Sequence, residues 1–530
     1  MKTIPTYIFI LFINILTAQT LKFFCKVPKE ELGGTEQAGI LQKIVADSQY
    51  IYLVGQQPNE IKGFKNTNIL FFSKIDYSGH VEKASLVLDP SITLNPTDID
   101  PLIKLTDTTY IIYLAYQDTT SSNTNFYLTL EELNFRRYTL KRKFIFSDTL
   151  MEQDIAFIPE SKKINSGFLS YNFRFDPSPL PNKNRIYEFD GNFEVKRSFI
   201  IPTDSEPSTG FHWMDKLNNG DYEFIGLRRK VVDQPLFEMF YLRLDSTGKI
   251  IKKKYLPTSR KIYIQPLFNY LVEKDNFGNF VMVCDEFNEL ISDYFGAPHF
   301  IKVSPEFDSI IWMTKFYEYP EIVENPKYYT YDITRMNQST DYIACGSIYT
   351  QSFSQADYST IFKVSDRGDS LWFRKYYPIG WDTLRATQSR FNQIVSTPYN
   401  TIAAAGYIGD IGSGWVHPFV VHVDSNGCLV PGCGQFVRTE DIKKGIENAF
   451  VIYPNPIVGD IIYILAHVTA EEDYHIQIAD LYGRIIKSTK FRPTQQVQYM
   501  LPIEESIPSG EYILKISGAD YMQSEKLVVE

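Results

Sequence analysis

The sequence is poor in the residues and motifs on which many enzymes depend. Among 530 residues there are seven His, five Cys and five Trp. No G-x-S-x-G, H-E-x-x-H, P-loop or C-x-x-C motif occurs. Those absences remove the common signatures of serine hydrolases, zinc peptidases, phosphate-binding NTPases and dithiol redox proteins. His417 and His422 are close in sequence, but a five-residue offset on one strand turns them to opposite faces. No metal or cofactor site is expected. Positive charge is also short: the net charge is −10, which argues against nucleic acid or an anionic membrane as the main partner. The one basic run, Lys252-Lys253-Lys254, follows a strand-like stretch and reads as a solvated edge. After the first twenty residues no apolar run approaches the roughly 18 residues of a membrane span, so no transmembrane span is expected.

The apolar run that does exist lies between Ile8 and Leu16, behind Lys2 and ahead of Thr17-Ala18. This pattern predicts a secretory signal at residues 1–18 and export to the periplasm. Export permits disulfides, but five cysteines leave at least one outside any intrachain pair. Cys428 and Cys433 flank the Pro-Gly turn of "GCLVPGCG" and are predicted to pair locally. The pairing of Cys25, Cys284 and Cys345 is left open.

What the chain has in quantity is strand-forming residues. It holds 36 Tyr and 38 Phe, with aromatics at 15%, and a composition of this kind favours sheets. A short apolar strand with a small residue at its end recurs, as in "QYIYLVG", "DYEFIG", "DYIACG" and "TIAAAG". The end points fall at Gly55, Ala115, Ser170, Gly226, Asp285, Gly346 and Gly406, with intervals of 55 to 61 residues. A second marker follows each: a strand, a tight turn and another strand, as in "FYLRLDSTGKIIKKKYL" and "IFKVSDRGDSLWFRKYY". Two markers with one period and one count of seven predict seven four-stranded units. A seven-bladed β-propeller over residues 19–434 accommodates them. Tandem sandwiches need about 100 residues per unit and do not fit.

The turns explain two features that otherwise suggest chemistry. Arg367-Gly368-Asp369 resembles an adhesion tripeptide, and the surrounding stretch a worn Asp-box, yet it occupies one of the equivalent hairpin turns. Gly supplies the positive φ and Asp caps the turn. Trp312 and Trp372 follow such turns and are expected to pack between blades.

Propeller loops that share one face are the place to look for a ligand site. The longer connections carry Phe64, Arg174, Asp285, Glu286, Tyr294, Tyr349, Trp381, Asp382 and Trp415. Aromatics beside carboxylates suit a glycan or protein surface. Asp285 and Glu286 would act as an acid/base pair only if another carboxylate faced them.

After Cys433 the pattern changes. Residues 435–449 read as a linker. Residues 450–530 alternate as six or seven short strands between Pro-, Gly- and Asp-rich turns, a small β-sandwich. This segment resembles the C-terminal sorting domain of the type IX secretion system of Gram-negative bacteria. The resemblance rests on Tyr453-Pro454-Asn455-Pro456 with Gly459, and on Asp480-Leu481-Tyr482-Gly483-Arg484. Pro508-Ser509-Gly510-Glu511-Tyr512 with Ile513 to Ile516, and a last strand from Lys526 to Val529, complete it. The family often ends in Lys or Arg, whereas this chain ends in Glu530. The resemblance implies an immunoglobulin-like sandwich read as an address by the type IX machinery. It further implies export across the outer membrane, and removal of the domain with release of the cargo or its attachment at the surface. The whole sequence thus reads as a secreted or surface-displayed, non-enzymatic propeller that binds an extracellular glycan or protein. A hydrolase on the same scaffold and a structural surface component are the alternatives.

Overall fold

The computed structural model describes residues 23–26, most of 40–428 and most of 449–529. Residues 1–22, 27–39 and 429–448 lie outside the described residues, as do the longer connections at 60–66, 88–91, 95–99, 119–124, 147–159, 173–183, 202–208, 258–261, 264–271, 287–297, 317–326, 350–357, 379–386 and 411–414, and a few shorter breaks. Every named element among the described residues is a β-strand.

Among the described residues, seven antiparallel sheets follow one another from residue 40 to residue 423. The first is Ile40–Ala46, Tyr50–Asn59, Thr67–Asp76 and Val81–Val87. The fourth is Thr209–Lys216, Tyr222–Val231, Gln234–Leu244 and Ile250–Tyr255. The sixth is Lys327–Arg335, Tyr342–Tyr349, Tyr358–Val364 and Ser370–Pro378. The second, third and fifth repeat this up-and-down order within 92–146, 160–201 and 262–315. Each sheet meets the next, and the seventh meets the first. This is the arrangement of a β-propeller.

The seventh sheet takes only Thr387–Ser396, Ile402–Asp410 and Trp415–Val423 from its own stretch of chain. Its outer position is filled by Phe23–Lys26, in register from Phe23↔His422 to Lys26↔Phe419. The repeat pattern places that strand after Gly427 instead. A four-residue strand with no periodicity of its own gives no local sign of a partner nearly four hundred residues away.

The recurring small residue proves to sit inside its strand, not at the end. Gly55, Gly226, Gly346 and Gly406 each face a bulge in the innermost strand: the register jumps between Leu41 and Lys43, Phe211 and Trp213, Thr330 and Asp332, and Phe391 and Gln393. The extra residue pushes the inner strand's backbone toward its neighbour. A Cβ at Gly346 would overlap the carbonyl oxygen of Tyr329, and one at Gly406 that of Arg390. Only glycine fits at those two positions, so in the four sheets with a bulge the small residue read from sequence is the bulge's partner.

At two of these bulges the polar residue just past the bulge ties one sheet to the next. Asp332 accepts the N–H of Ile394 at 2.9 Å, from sheet six to sheet seven. Gln393 accepts the N–H of Ile44 at 2.6 Å, from sheet seven to sheet one. The same hydrogen bond therefore serves an internal joint and the seam. At the seam Leu41 and Ile44 also bury against Ala403, Ala405 and Val420.

At the opposite end of the sheets the short turns interlock. Asp245 and Asp424 accept two backbone N–H groups each, and Ser365 does the same through its hydroxyl. Gly368 has φ 92° and lies against Trp312 of sheet five; Gly427 lies against Trp372 of sheet six. Arg367-Gly368-Asp369 is thus a turn packed on a neighbour's ring. Phe307, buried at φ 55°, takes the glycine position in sheet five. Lys302, almost wholly buried, pairs with Asp275 at 2.9 Å and with Asp366 of sheet six at 2.6 Å. Lys252 and Lys254 of the basic run reach Glu306 and Asp308 of the next sheet, so this edge is tied down as well as solvated.

The C-terminal segment has two sheets. The near sheet is Phe450–Tyr453, Ile461–Ala466 and Val497–Pro502; the far sheet is Tyr474–Asp480, Ile485–Phe491, Gly510–Ser517 and Met522–Val529. Ile462, Ile464, Tyr499 and Leu501 of the near sheet bury against Ile476, Ile478, Leu514 and Leu527 of the far one. The near sheet does not stand alone. Val497–Pro502 pairs in parallel with Ser370–Pro378, so it extends sheet six. Its other face, with Tyr453, Tyr463, Leu465 and Met500, shares a core with Tyr376, Phe391 and Cys428 of the propeller.

Two outcomes are expected. Gly346→Ala and Gly406→Ala should each cost about 1–3 kcal/mol in thermal or denaturant unfolding, because the added methyl meets backbone. Gly510→Ala, whose Cβ would make only ordinary contacts, should change stability by less than about 0.5 kcal/mol. Equal effects at all three sites would refute the bulge argument. Lys302→Met should cost about 3 kcal/mol, because it leaves Asp275 buried and unpaired, and adding Asp275→Asn should recover part of the loss. Burial acts to raise the Asp275 pKa, but hydrogen bonds from Asn279, Lys302 and backbone N–H groups outweigh it and hold the carboxyl below its ordinary value. Its contribution is therefore full above about pH 4 and falls away as pH drops through the lowered value. A melting temperature that does not fall below pH 4, or that falls equally in the double variant, would contradict this.

Candidate functional site

The end of the sheets away from the tight turns is where the longer connections attach, and there the innermost strands of sheets six and seven bring an arginine among tyrosines. Arg390 is on Thr387–Ser396, three residues past that strand's start. Its guanidinium lies 5.0 Å from the ring centre of Tyr331 and 4.6 Å from that of Tyr407. Tyr331 is the bulged residue of the sixth sheet's inner strand, which turns its ring toward the next sheet. Tyr407 is paired directly with Arg390 in the seventh. Tyr329 stacks with Tyr331 at 6.3 Å, and Tyr349 meets Tyr329 edge-on at 4.9 Å. Beneath them the hydroxyls of Ser359 and Ser389 join at 2.5 Å, and Ser347 reaches the Tyr331 hydroxyl at 3.5 Å.

The electrostatics follow from the neighbours. Burial acts to lower the Arg390 pKa, but the phenols of Tyr331, Tyr407 and Tyr349 outweigh it, and the group stays cationic. Burial raises the Tyr331 phenol, with the Arg390 charge opposing. Tyr331 and Tyr407 are buried, whereas Arg390, Tyr329 and Tyr349 are half-exposed. The cluster offers a fixed cation and aromatic faces. It can orient an acceptor group and cover an apolar or sugar face. Among the described residues no group of three or more His, Cys, Asp or Glu is placed to hold a metal.

Of the residues read as site candidates, Tyr349 belongs to this cluster. Phe64, Arg174, Tyr294, Trp381 and Asp382 lie outside the described residues. Asp285 and Glu286 end the strand Phe280–Glu286, where Asp285 pairs with Pro298 and Tyr263. Trp415 starts Trp415–Val423 opposite Asp410. The three are described as backbone only, on sheets five and seven. Arg390, Tyr331 and Tyr407 are absent from the sequence reading, which sought ligand groups in loops. One signal was available: Tyr407 directly follows Gly406, and Arg390 is the residue whose backbone requires that glycine.

The sorting motif is described in part. Tyr453 is buried, stacks on Tyr463 at 5.5 Å and donates its hydroxyl to Gln498 at 3.1 Å. Gln498 in turn donates to the carbonyl of Gly427 in the propeller at 3.2 Å. Pro454 and Pro456 follow cis peptides. Asn455 bridges the last strand, donating to Lys526 O at 2.6 Å and accepting from Val528 N at 3.0 Å. Asp480 accepts the N–H of Arg484 at 2.9 Å, and the Tyr512 hydroxyl donates to Pro508 O at 2.7 Å. Gly510 opens the Gly510–Ser517 strand. Gly459 and Gly483 lie outside the described residues. Cys428 is disulfide-bonded; Cys433 lies outside the described residues.

Residues 451–530 match the family described as the secretion system C-terminal sorting domain. That segment is a sorting domain, which implies export through the corresponding secretion machinery. Among solved structures, the β-propeller domain of the Trilobed protease from Pyrococcus furiosus is 8% identical, with 73% of this chain and 94% of that chain covered and a TM-score of 0.40. An α-L-arabinofuranosidase from Fusarium graminearum in complex with an iminosugar inhibitor is 13% identical, covering 64% and 94%, with a TM-score of 0.39. A Penicillium chrysogenum α-L-arabinanase complexed with arabinobiose is 10% identical, covering 64% and 94%, with a TM-score of 0.39. Likeness this distant assigns no activity. No curated protein matches the chain.

If the cation and rings support one another, Tyr407→Ala should cost about 1–3 kcal/mol of stability, and Tyr331→Phe, which keeps its ring, less than about 1 kcal/mol. Unfolding in urea separates them; equal losses would show that the hydroxyl, not the ring, matters.

Proposed function

We propose that this protein is an exported seven-bladed β-propeller that binds an extracellular glycan or protein ligand without catalysing a reaction on it. In this reading residues 1–18 direct passage to the periplasm. Residues 450–530, an immunoglobulin-like sandwich, direct passage across the outer membrane, and the cargo ends at the surface or in the medium. A local Cys428–Cys433 disulfide closes the last turn.

The observation that carries the binding role is Arg390, held charged between Tyr331 and Tyr407 with Tyr349 beside it. A ligand with a carboxylate or similar acceptor beside a sugar ring or aromatic face suits this group, since a fixed guanidinium pairs with two oxygens at once. The remaining candidates, Phe64, Arg174, Asp285, Glu286, Trp381, Asp382 and Trp415, would line the same end of the ring.

Panels of acidic and neutral glycans and of peptides, presented to the full chain, test the reading. Ligands that bind should lose about tenfold or more in affinity to Arg390→Gln, a loss of roughly 1.4 kcal/mol or more. Binding untouched by Arg390→Gln would move the site elsewhere, and turnover of a retained glycan would favour a hydrolase. Export is tested by deleting residues 449–530. The shortened chain is expected to stop in the periplasm, and normal export without that segment would overturn the sorting role.

A further inference from the structure

The sorting domain has two sheets, and they differ sharply in what they leave open. The near sheet is covered on both faces, by the far sheet on one side and by Tyr376, Phe391 and Cys428 of the propeller on the other. One of its edges is taken by Ser370–Pro378. The far sheet's outer face is therefore the open sheet face of the docked sorting domain.

The far sheet's outer face has the make-up of a docking surface. Ile485, Ala479 and Ile513 sit side by side on three adjacent strands. Ile485 is 53% exposed and Ile513 40% exposed, although the inward positions of the same strands are filled by buried Ile476, Ile478, Leu514 and Ile516. Around this apolar row stand Lys490, Lys515 and Lys526, with Glu511 as the carboxylate on the outward strand positions, paired to Lys526. Arg484 and Arg492 stand at the ends of Ile485–Phe491, each paired with an aspartate and so adding no net charge to the face. A basic face is unexpected on a chain whose net charge is −10. An apolar centre with a charged rim is how protein interfaces are built, and opposite charge on the partner speeds and orients docking.

We propose that the outer face of the far sheet, centred on Ile485 and Ile513 and rimmed by Lys490, Lys515 and Lys526, is the surface by which the sorting domain is recognised, and that the partner is an acidic protein surface of the secretion machinery. The proposal rests on the sorting role of residues 450–530. It assigns that role to one face and excludes the cargo-facing side, including the buried Tyr453.

The test uses the full chain in a bacterium with this secretion route. Lys490→Glu with Lys515→Glu, and separately Ile485→Ser with Ile513→Ser, should each lower the exported fraction about tenfold or more, the size of a loss of roughly 1.4 kcal/mol in recognition. Ile485, Lys490 and Ile513 are exposed and Lys515 is half-buried on the outer face, so melting temperature of the purified variants should stay near that of the parent. Where a reversal proves unstable, Lys490→Gln with Lys515→Gln replaces it and should lower export in the same direction. Folded variants exported at the parent level would overturn the proposal while leaving the sorting role intact. Normal export after deletion of residues 449–530 would instead remove the reading beneath it.

Discussion

One hydrogen bond serves two successive joints of the ring, sheet six to seven and sheet seven to one. A four-stranded sheet with apolar residues on both faces cannot be stable alone and must be covered on each side. The bulge of the inner strand sets the next polar side chain toward the following sheet, where it caps a backbone N–H. Asp332 does this for Ile394, and Gln393 for Ile44. Because the seam between last and first sheets uses the same contact as an internal joint, closure needs no special geometry. The glycines opposite the bulges and the Arg390 cluster both depend on that offset backbone.

This explains what could be read from the sequence and what could not. The repeat was legible because a steric demand recurs: Gly346 and Gly406 face displaced carbonyls, so their spacing appears in the letters. The turns were legible because Asp245, Ser365 and Asp424 cap their own backbone within four residues. The strand Phe23–Lys26 was not, since its pairing with Trp415–Val423 is wholly non-local. The Arg390 cluster was hidden for a related reason. Its members come from four strands of two sheets, and none lies in a loop. Tyr349 alone of them was named from the sequence, because it stands where a strand enters a connection. The sorting domain was legible as a set of motifs, but its parallel pairing with Ser370–Pro378 left no local mark.

That pairing changes how cargo and address relate. A sorting segment joined by a linker suggests two independent bodies. Here one sheet runs from the sixth propeller unit into the near sheet of the sorting domain, and Tyr453 of the motif packs on the propeller's last core. The cargo thereby chooses which face of its address is shown.

The donated strand has a consequence in time. Phe23–Lys26 is made well before the strand it completes, since Trp415–Val423 comes nearly four hundred residues later. At roughly 5–20 residues per second, synthesis separates the two by tens of seconds. Through that interval the early sheets exist without their last neighbour, and the inner face of sheet one has nothing to close against. The ring therefore closes late: the strand that completes its seventh sheet is made among the first, and its partner Trp415–Val423 among the last of the propeller.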